Sequence, residues 1–169
     1  MNYNSVTKQR IADMLAGIRI DTGTLTNTVS LIQNQVEIFR IRGRVMILQL
    51  FGEAITDFSA TATQLLFNFT SSVPVITVQP LCAACTTMSG IKAGRRVFWK
   101  GGAVATNAVV TATTGISDVI SVSPQVVGTI GGTGTVGILT SGANQTSGTC
   151  KFTMLYIPMS DGATVEALV

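Results

Sequence analysis

From Gln35 to Phe51 the chain alternates: Phe39, Ile41, Val45, Ile47 and Phe51 occupy odd positions, with Arg40, Arg42 and Arg44 interleaved. Successive side chains of a strand point to opposite sides of a sheet. The pattern therefore predicts one long strand with an apolar face toward a core and an arginine face away from it. A strand of that length usually bends, and Gly43, between the last two arginines, predicts the bulge. Gln64 to Phe69 and Val75 to Val78 read as strands between turns rich in Ser, Pro and Thr, and Arg95 to Lys100 as another. Beyond Gly101 apolar and hydroxyl residues alternate in short bursts, at Ala108 to Thr113, Val119 to Val122 and Val136 to Leu139. The last burst, Cys150 to Ile157, sets Phe152, Met154 and Tyr156 on one face, and Pro158 ends it. Many short strands at close spacing predict an all-β domain, a single β-barrel or β-sandwich, over residues 35–169.

Residues 1–34 read as an N-terminal arm. Over 5–17 a short helix is expected, because Ile11, Met14, Leu15 and Ile18 follow the i, i+3, i+4, i+7 spacing of one face and Gly17 is a fitting stop. About three turns are too few to be stable alone, so this face needs a partner, either its own domain or a neighbouring subunit. From Asp21 to Asn34 the chain, rich in Thr, Asn and Gln, reads as an extended connector. Ile11, Met14, Leu15 and Ile18, together with Arg40, Arg42 and Arg44, are the candidate protein-interface residues. Three guanidinium groups on one strand face form a fork array suited to carboxylates or backbone carbonyls, although a plain solvated face has the same pattern.

Composition decides what chemistry is open to such a domain. Lys and Arg number 11, Asp and Glu 8, and His is absent, so 11% of residues are charged against about 25% in an ordinary soluble protein. Proton transfer near neutral pH most often recruits His. The abundant serines have no His to activate them, and no Ser-x-x-Lys supplies a lysine instead. Asp13, Asp21, Glu37, Glu53, Asp57, Asp118, Asp161 and Glu166 are scattered, with nothing in their spacing to bring two into one cleft. No catalytic residue, and hence no enzyme, is expected.

Cys82-Ala-Ala-Cys85 invites a metal or redox reading. With no His and only Cys150 besides, a four-ligand zinc site is not available, and the surrounding pattern is not that of a thioredoxin-like helix start. The three thiols read as buried or half-buried structural side chains that behave as small hydrophobes. The run from Gly128 to Gly137 lacks the following helix and acidic partner of a dinucleotide loop, and its glycines read as turns. No cofactor, metal or small-molecule substrate is expected. Gly94 to Lys100 interleaves basic and aromatic residues as single-strand nucleic-acid platforms do, but one such segment is thin support, and Trp99 in an amphipathic strand reads as core. Nucleic acid is not an expected partner.

Apolar residues make up 46% of the chain, and mean hydropathy is +0.47, more than one monomer of this size needs. The surplus predicts a subunit interface, since obligate interfaces resemble a core cut in half. No stretch reaches the roughly 18 apolar residues of a membrane span, and the first residues lack a signal-peptide pattern. Synthesis in a reducing cytoplasm is expected, and the sequons at Asn68 and Asn144 read as accidental.

Two segments are familiar when read together. One is Gln35-Val-Glu-Ile-Phe39-Arg-Ile-Arg-Gly43-Arg-Val-Met-Ile-Leu-Gln-Leu-Phe-Gly52-Glu53-Ala-Ile-Thr, followed by Ala62-Thr-Gln-Leu-Leu-Phe-Asn68; the other runs from Gly148 through Tyr156-Ile-Pro158-Met-Ser-Asp161-Gly162-Ala163-Thr164-Val165. They resemble a family of small tailed-bacteriophage virion proteins in which a Phe-x-Val-x-Gly-Gly strand leads to Gly-Glu-Val-Thr and a terminal strand closes with Tyr-x-Pro-Leu-x-x-Gly-Ala-Thr-Val. The likeness spans about residues 35 to 165, with its matches at both ends. Arg44 stands where a second glycine is common, and Met159 replaces Leu, a nearly neutral exchange. The resemblance implies a β-rich head decoration or cement subunit, working as a homotrimer on the major capsid protein at the virion surface. Another virion position, in tail, neck or fibre, and a carbohydrate or host-surface binding module are the rival expectations.

Overall fold

The computed structural model describes residues 17–22, 25–26, 35–85, 87–99, 109–110 and 124–169. Every regular element among them is a strand: β1 (Ile18–Asp21), β2 (Leu25–Thr26), β3 (Gln35–Thr56), β4 (Thr63–Ser72), β5 (Val75–Pro80), β6 (Arg96–Phe98), β7 (Val109–Val110), β8 (Gln125–Gly142), β9 (Thr149–Pro158) and β10 (Thr164–Ala167). The fold is all-β. The pairings are antiparallel and the main path runs β1-β9-β3-β8-β4-β5. That sheet is open, because its end strands β1 and β5 do not join, so a closed barrel is not what forms.

β3 is the spine. Along one edge it pairs with β8, from Gln35 to Ile47, and then with β6, from Phe51 to Glu53; along the other it pairs with β10, from Phe39 to Arg42, and then with β9, from Val45 to Thr56. The change from β10 to β9 falls at Gly43, which has φ +74° and opens a bulge against β8 between Arg42 and Arg44. There β8 opposes Thr133 to Arg42 and Gly128 to Arg44, so residues 129–132 bow out across from one glycine. Gly128, at φ +83°, is required too: a Cβ there would fall on the Gly43 carbonyl oxygen. Two glycines thus let two strands bend together.

The alternation of β3 holds from Phe39 to Ile47, after a register shift between Glu37 and Phe39 that leaves Ile38 buried as well. Phe39, Ile41, Val45 and Ile47 are fully buried in one core, and the arginines between them face out. At Leu48 the register against β9 slips by one residue, and a one-residue slip exchanges the faces. Leu50 and Ala54 then enter the core. Phe51, expected on that face, lies on the other side, under the Arg96 guanidinium at 5.1 Å from the ring centre.

Residues 81–99 tie the folded sheet together. Leu81, Cys85 and Met88 donate backbone N–H groups to the carbonyls of Phe67, Leu65 and Thr63 along the edge of β4, at 2.8, 2.9 and 2.7 Å. The segment then turns to β3 and the residues just after it, where Phe58 N–H reaches the Ile91 carbonyl at 2.8 Å and Trp99 N–H the Leu50 carbonyl at 2.9 Å. Trp99 is fully buried, as expected, and its indole N–H donates to the Leu81 carbonyl at 3.0 Å.

The helix expected over 5–17 lies outside the described residues, apart from Gly17, whose φ is +72°. Ile11, Met14 and Leu15 lie outside as well, as does the Val119 to Val122 burst. Ile18, which fits that helical spacing, instead opens β1: it faces Tyr156 in β9 and packs half-buried on the core. The connector expected from Asp21 onward is in part sheet, since β1 and β2 both pair with β9. The glycine run expected as turns lies within strand β8, where the bulge at 129–132 absorbs Gly131 and Gly132, and Gly134 and Gly137 continue the ladder.

Candidate interaction surface

The arginine triplet projects from the outer face of β3 beside β8 and β10. Arg40 is half-buried, and its Nη1 donates to Glu166 Oε1 at 2.8 Å across the β3–β10 pairing. Arg42 and Arg44 are exposed. The backbone at Arg44 is fixed on both sides: its N–H donates to Ser160 Oγ at 3.0 Å, and its carbonyl accepts from Met159 N–H at 2.8 Å. The three cations therefore stand on a rigid strand at fixed spacing rather than on a loop.

Next to Arg40 a groove of about 280 Å³ runs over β3, β8 and β4, lined by Glu37, Thr70, Ser72, Thr133 and Thr135 among others. Thr135 Oγ1 donates to Glu37 Oε1 at 2.9 Å. The hydroxyls of Thr70 and Thr135 lie 2.5 Å apart and those of Ser72 and Thr133 3.1 Å apart. This face is a hydroxyl ladder with two carboxylates, Glu37 and Glu166, and a row of guanidinium groups. It is suited to hydrogen bonding with a polar, partly acidic surface.

Away from this face, Glu53, Asp57 and Asp21 are each paired locally. Glu53 accepts from Arg96 at 3.0 Å, and Asp57 accepts from Lys92 Nζ and from Ala93 N–H, each at 2.8 Å. The Lys92 and Ala93 hydrogen bonds hold the Asp57 carboxyl below its ordinary range. Burial disfavours the Asp21 anion, but hydrogen bonds from Thr153 and Arg19 outweigh it, and Asp21 too lies below its usual value. The four ion pairs found among the described residues each join one carboxylate to one cation.

Cys82, Cys85 and Cys150 are buried free thiols, as expected. The first two have a defined duty: Phe67 N–H donates to Cys82 Sγ at 3.4 Å, and Leu65 N–H to Cys85 Sγ at 3.2 Å. Sulfur here stands where a carbonyl oxygen of a neighbouring strand would. Burial pushes Cys82 up to about 11 and Cys150 up to about 12, and raises Cys85, so at neutral pH the three are neutral thiols. Among the described residues no cluster of three metal-ligating side chains occurs.

One surface was not anticipated. Val73, Val75, Val78, Val126 and Ile130 are exposed, Val75 at 82% and Ile130 at 72%. They surround the tip of the β4–β5 hairpin and the β8 bulge, which are joined by a hydrogen bond from Thr129 Oγ1 to the Val73 carbonyl. Between the two lies a cleft of about 210 Å³. The signal available in sequence was the absence of any charged residue from Phe58 to Ile91.

Three comparisons with known proteins, by family models, by sequence and by solved structure, find no match.

Proposed function

We propose that this chain is a non-enzymatic structural subunit of a tailed-bacteriophage virion, a decoration or cement protein that binds the outer surface of the head as a homotrimer and stabilises the lattice of the major capsid protein. In this reading the strands form a two-layered β-sandwich, and residues 1–34 act as an arm carrying a short helix. The observation that carries it joins the two resembling segments. They lie about a hundred residues apart in sequence, yet β3 is hydrogen-bonded to both β9 and β10, and a Cβ at Gly43 would come within 2.8 Å of Ser160 Oγ and 3.1 Å of Ala163 Cα. The matched residues thus make one physical unit, with the glycine of one motif seated against the Gly-Ala-Thr-Val turn of the other.

The mechanism is mechanical. A subunit that binds only the expanded lattice stabilises it by mass action, and a symmetric array multiplies weak contacts through effective concentration. Arg42 and Arg44, rigidly presented beside the hydroxyl ladder, supply the polar contact. The test is co-sedimentation of purified protein with expanded heads that lack it, followed by the temperature at which the heads release DNA. Saturable binding and a raised release temperature are expected. Binding to tails alone would move the protein to a tail, neck or fibre position, and no binding to any particle would overturn the reading.

A carbohydrate-binding module draws on the groove beside Arg40, whose Glu37 and hydroxyl groups are fit to hydrogen-bond a sugar. Its lining holds no aromatic ring for a sugar face to stack on, which favours the structural role. Glycan-array binding without particle binding would reverse that order.

A further inference from the structure

We propose that residues 5–16 of this chain dock on its own sheet and cover the apolar outer face that β3 and β9 share. The inference stands apart from the virion reading, which particle binding tests.

The outward side of β3 changes character along its length. It is cationic at Arg40, Arg42 and Arg44 and turns apolar at Met46. Directly paired residues share a side of a sheet, so Met46, which lies between the inward Val45 and Ile47, stands beside Val126 of β8 and Ile157 of β9. Leu155, between the inward Met154 and Tyr156, extends the patch along β9. Val126 is exposed and Met46, Leu48, Leu155 and Ile157 are half-buried, yet none of them belongs to the core. A contiguous apolar patch outside the core marks a surface made to be covered.

The chain's own path says what covers it. A Cβ at Gly17 would lie 3.1 Å from Leu155 Cδ1 and 3.1 Å from Leu48 Cδ1, which puts both leucines and Gly17 on this face. Leu48 belongs to β3, two strands in from β1. Residue 17 therefore already stands over the patch, and the residues that precede it enter directly onto it. A segment tethered with no slack acts at a far higher effective concentration than a free partner.

The preceding residues suit the surface they meet. In a helix over 5–16, Ile11, Met14 and Leu15 fall on one side, with Gln9 and Asp13 opposite, so one face is fit for burial and the other for water. Gly17, at φ +72°, has the left-handed conformation in which helices commonly end. Such a helix spans about 18 Å, and the distance from β1 across β9 and β3 to β8 is about 14 Å. It is long enough to reach Val126. About three turns of helix are not stable alone, and the patch supplies the partner that Ile11, Met14 and Leu15 need.

The experiment is methionine oxidation by dilute hydrogen peroxide on the full chain, followed residue by residue by mass spectrometry. Met46 reports the patch, Met159, at 47% exposure, is the open reference, and Met154, fully buried, reports the core. In wild type Met46 is expected to oxidise roughly tenfold or more slowly than Met159. In Ile11→Asn/Leu15→Asn it should oxidise about as fast as Met159, with Met154 still protected. Wild-type Met46 that reacts as fast as Met159 overturns the proposal, because the face is then open. Met46 that stays protected in the double variant overturns it too, by giving the cover to something other than residues 5–16. Wild-type protection lost on dilution from about 1 mM to about 1 μM assigns the cover to another copy and likewise overturns it. Should the double variant unfold, which oxidation of Met154 would reveal, Ile11→Ala/Leu15→Ala keeps helix propensity while removing apolar surface, and is read in the same way.

Discussion

The ring of Phe67, on β4, meets that of Phe152, on β9, edge to face with centroids 6.0 Å apart and planes at 87°, although β4 and β9 are not neighbours in the sheet. The sheet therefore folds over itself, and this contact joins its two parts. Replacing a buried Phe by Ala costs about 3–5 kcal/mol. Phe67→Ala should lose stability in that range in denaturant titration. A double-mutant cycle with Phe152→Leu should show about 0.5–1.5 kcal/mol of coupling; strict additivity would mean that the rings do not communicate.

The paired bend at Gly43 and Gly128 makes an ordered prediction. Both have positive φ, which costs a residue with a Cβ about 1–2 kcal/mol. At Gly43 the added carbon comes within 2.8 Å of the Ser160 hydroxyl and 3.1 Å of Ala163 Cα, whereas at Gly128 it falls much closer still, on the Gly43 backbone carbonyl oxygen. Gly128→Ala should therefore lower the unfolding midpoint more than Gly43→Ala does.

Alkaline titration tests the buried thiols. Cys82 and Cys150 have folded pKa values of about 11 and about 12 against 9.0 unperturbed, so folding favours the neutral thiol. Their contribution is complete below pH 9 and is lost as pH rises toward 11 and beyond. Wild type should lose stability over that window and Cys150→Ala should lose less. A thiol reagent at pH 8 should label none of the three until the chain unfolds.

Asn68 is 1% exposed, and neither its side-chain oxygen nor its nitrogen has a partner among the described residues. An orphaned buried amide costs about 1–3 kcal/mol. Asn68→Leu is expected to raise Tm, and the same burial keeps this sequon from accepting a glycan in the folded chain.

Arg42→Glu inverts a charge on an exposed position of a strand whose opposite face is core. Stability should change by no more than about 0.5 kcal/mol, while co-sedimentation with expanded heads should weaken, more at low salt than at high. Unfolding of this variant would show that the face carries packing rather than contact.

Much of the pattern was legible because strand periodicity is local. Phe39, Ile41, Val45 and Ile47 inward, Arg40, Arg42 and Arg44 outward, and the Phe152, Met154, Tyr156 face follow from a side-chain period of two, and the bend at Gly43 from a glycine inside a long strand. Phe51 was not legible, because the slip at Leu48 depends on the register that β9 imposes. Ile18 was not either, since its spacing suits a helix as well as a strand, and pairing with Tyr156 decided between them. The β8 glycines carry no sign of whether they turn or continue; the carbonyl of Gly43 and the strand β4 beside them settle it.

The sequence by itself determined the all-β class, the core face of the long strand, the outward arginines and the buried thiols, because each depends on a residue's own chemistry and its nearest neighbours. Only the tertiary structure decided that the sheet stays open, that Cys82 and Cys85 serve as acceptors for a strand edge, and that five exposed apolar side chains gather at one tip. Those outcomes depend on which distant backbone groups find hydrogen-bond partners, and no local pattern encodes that choice.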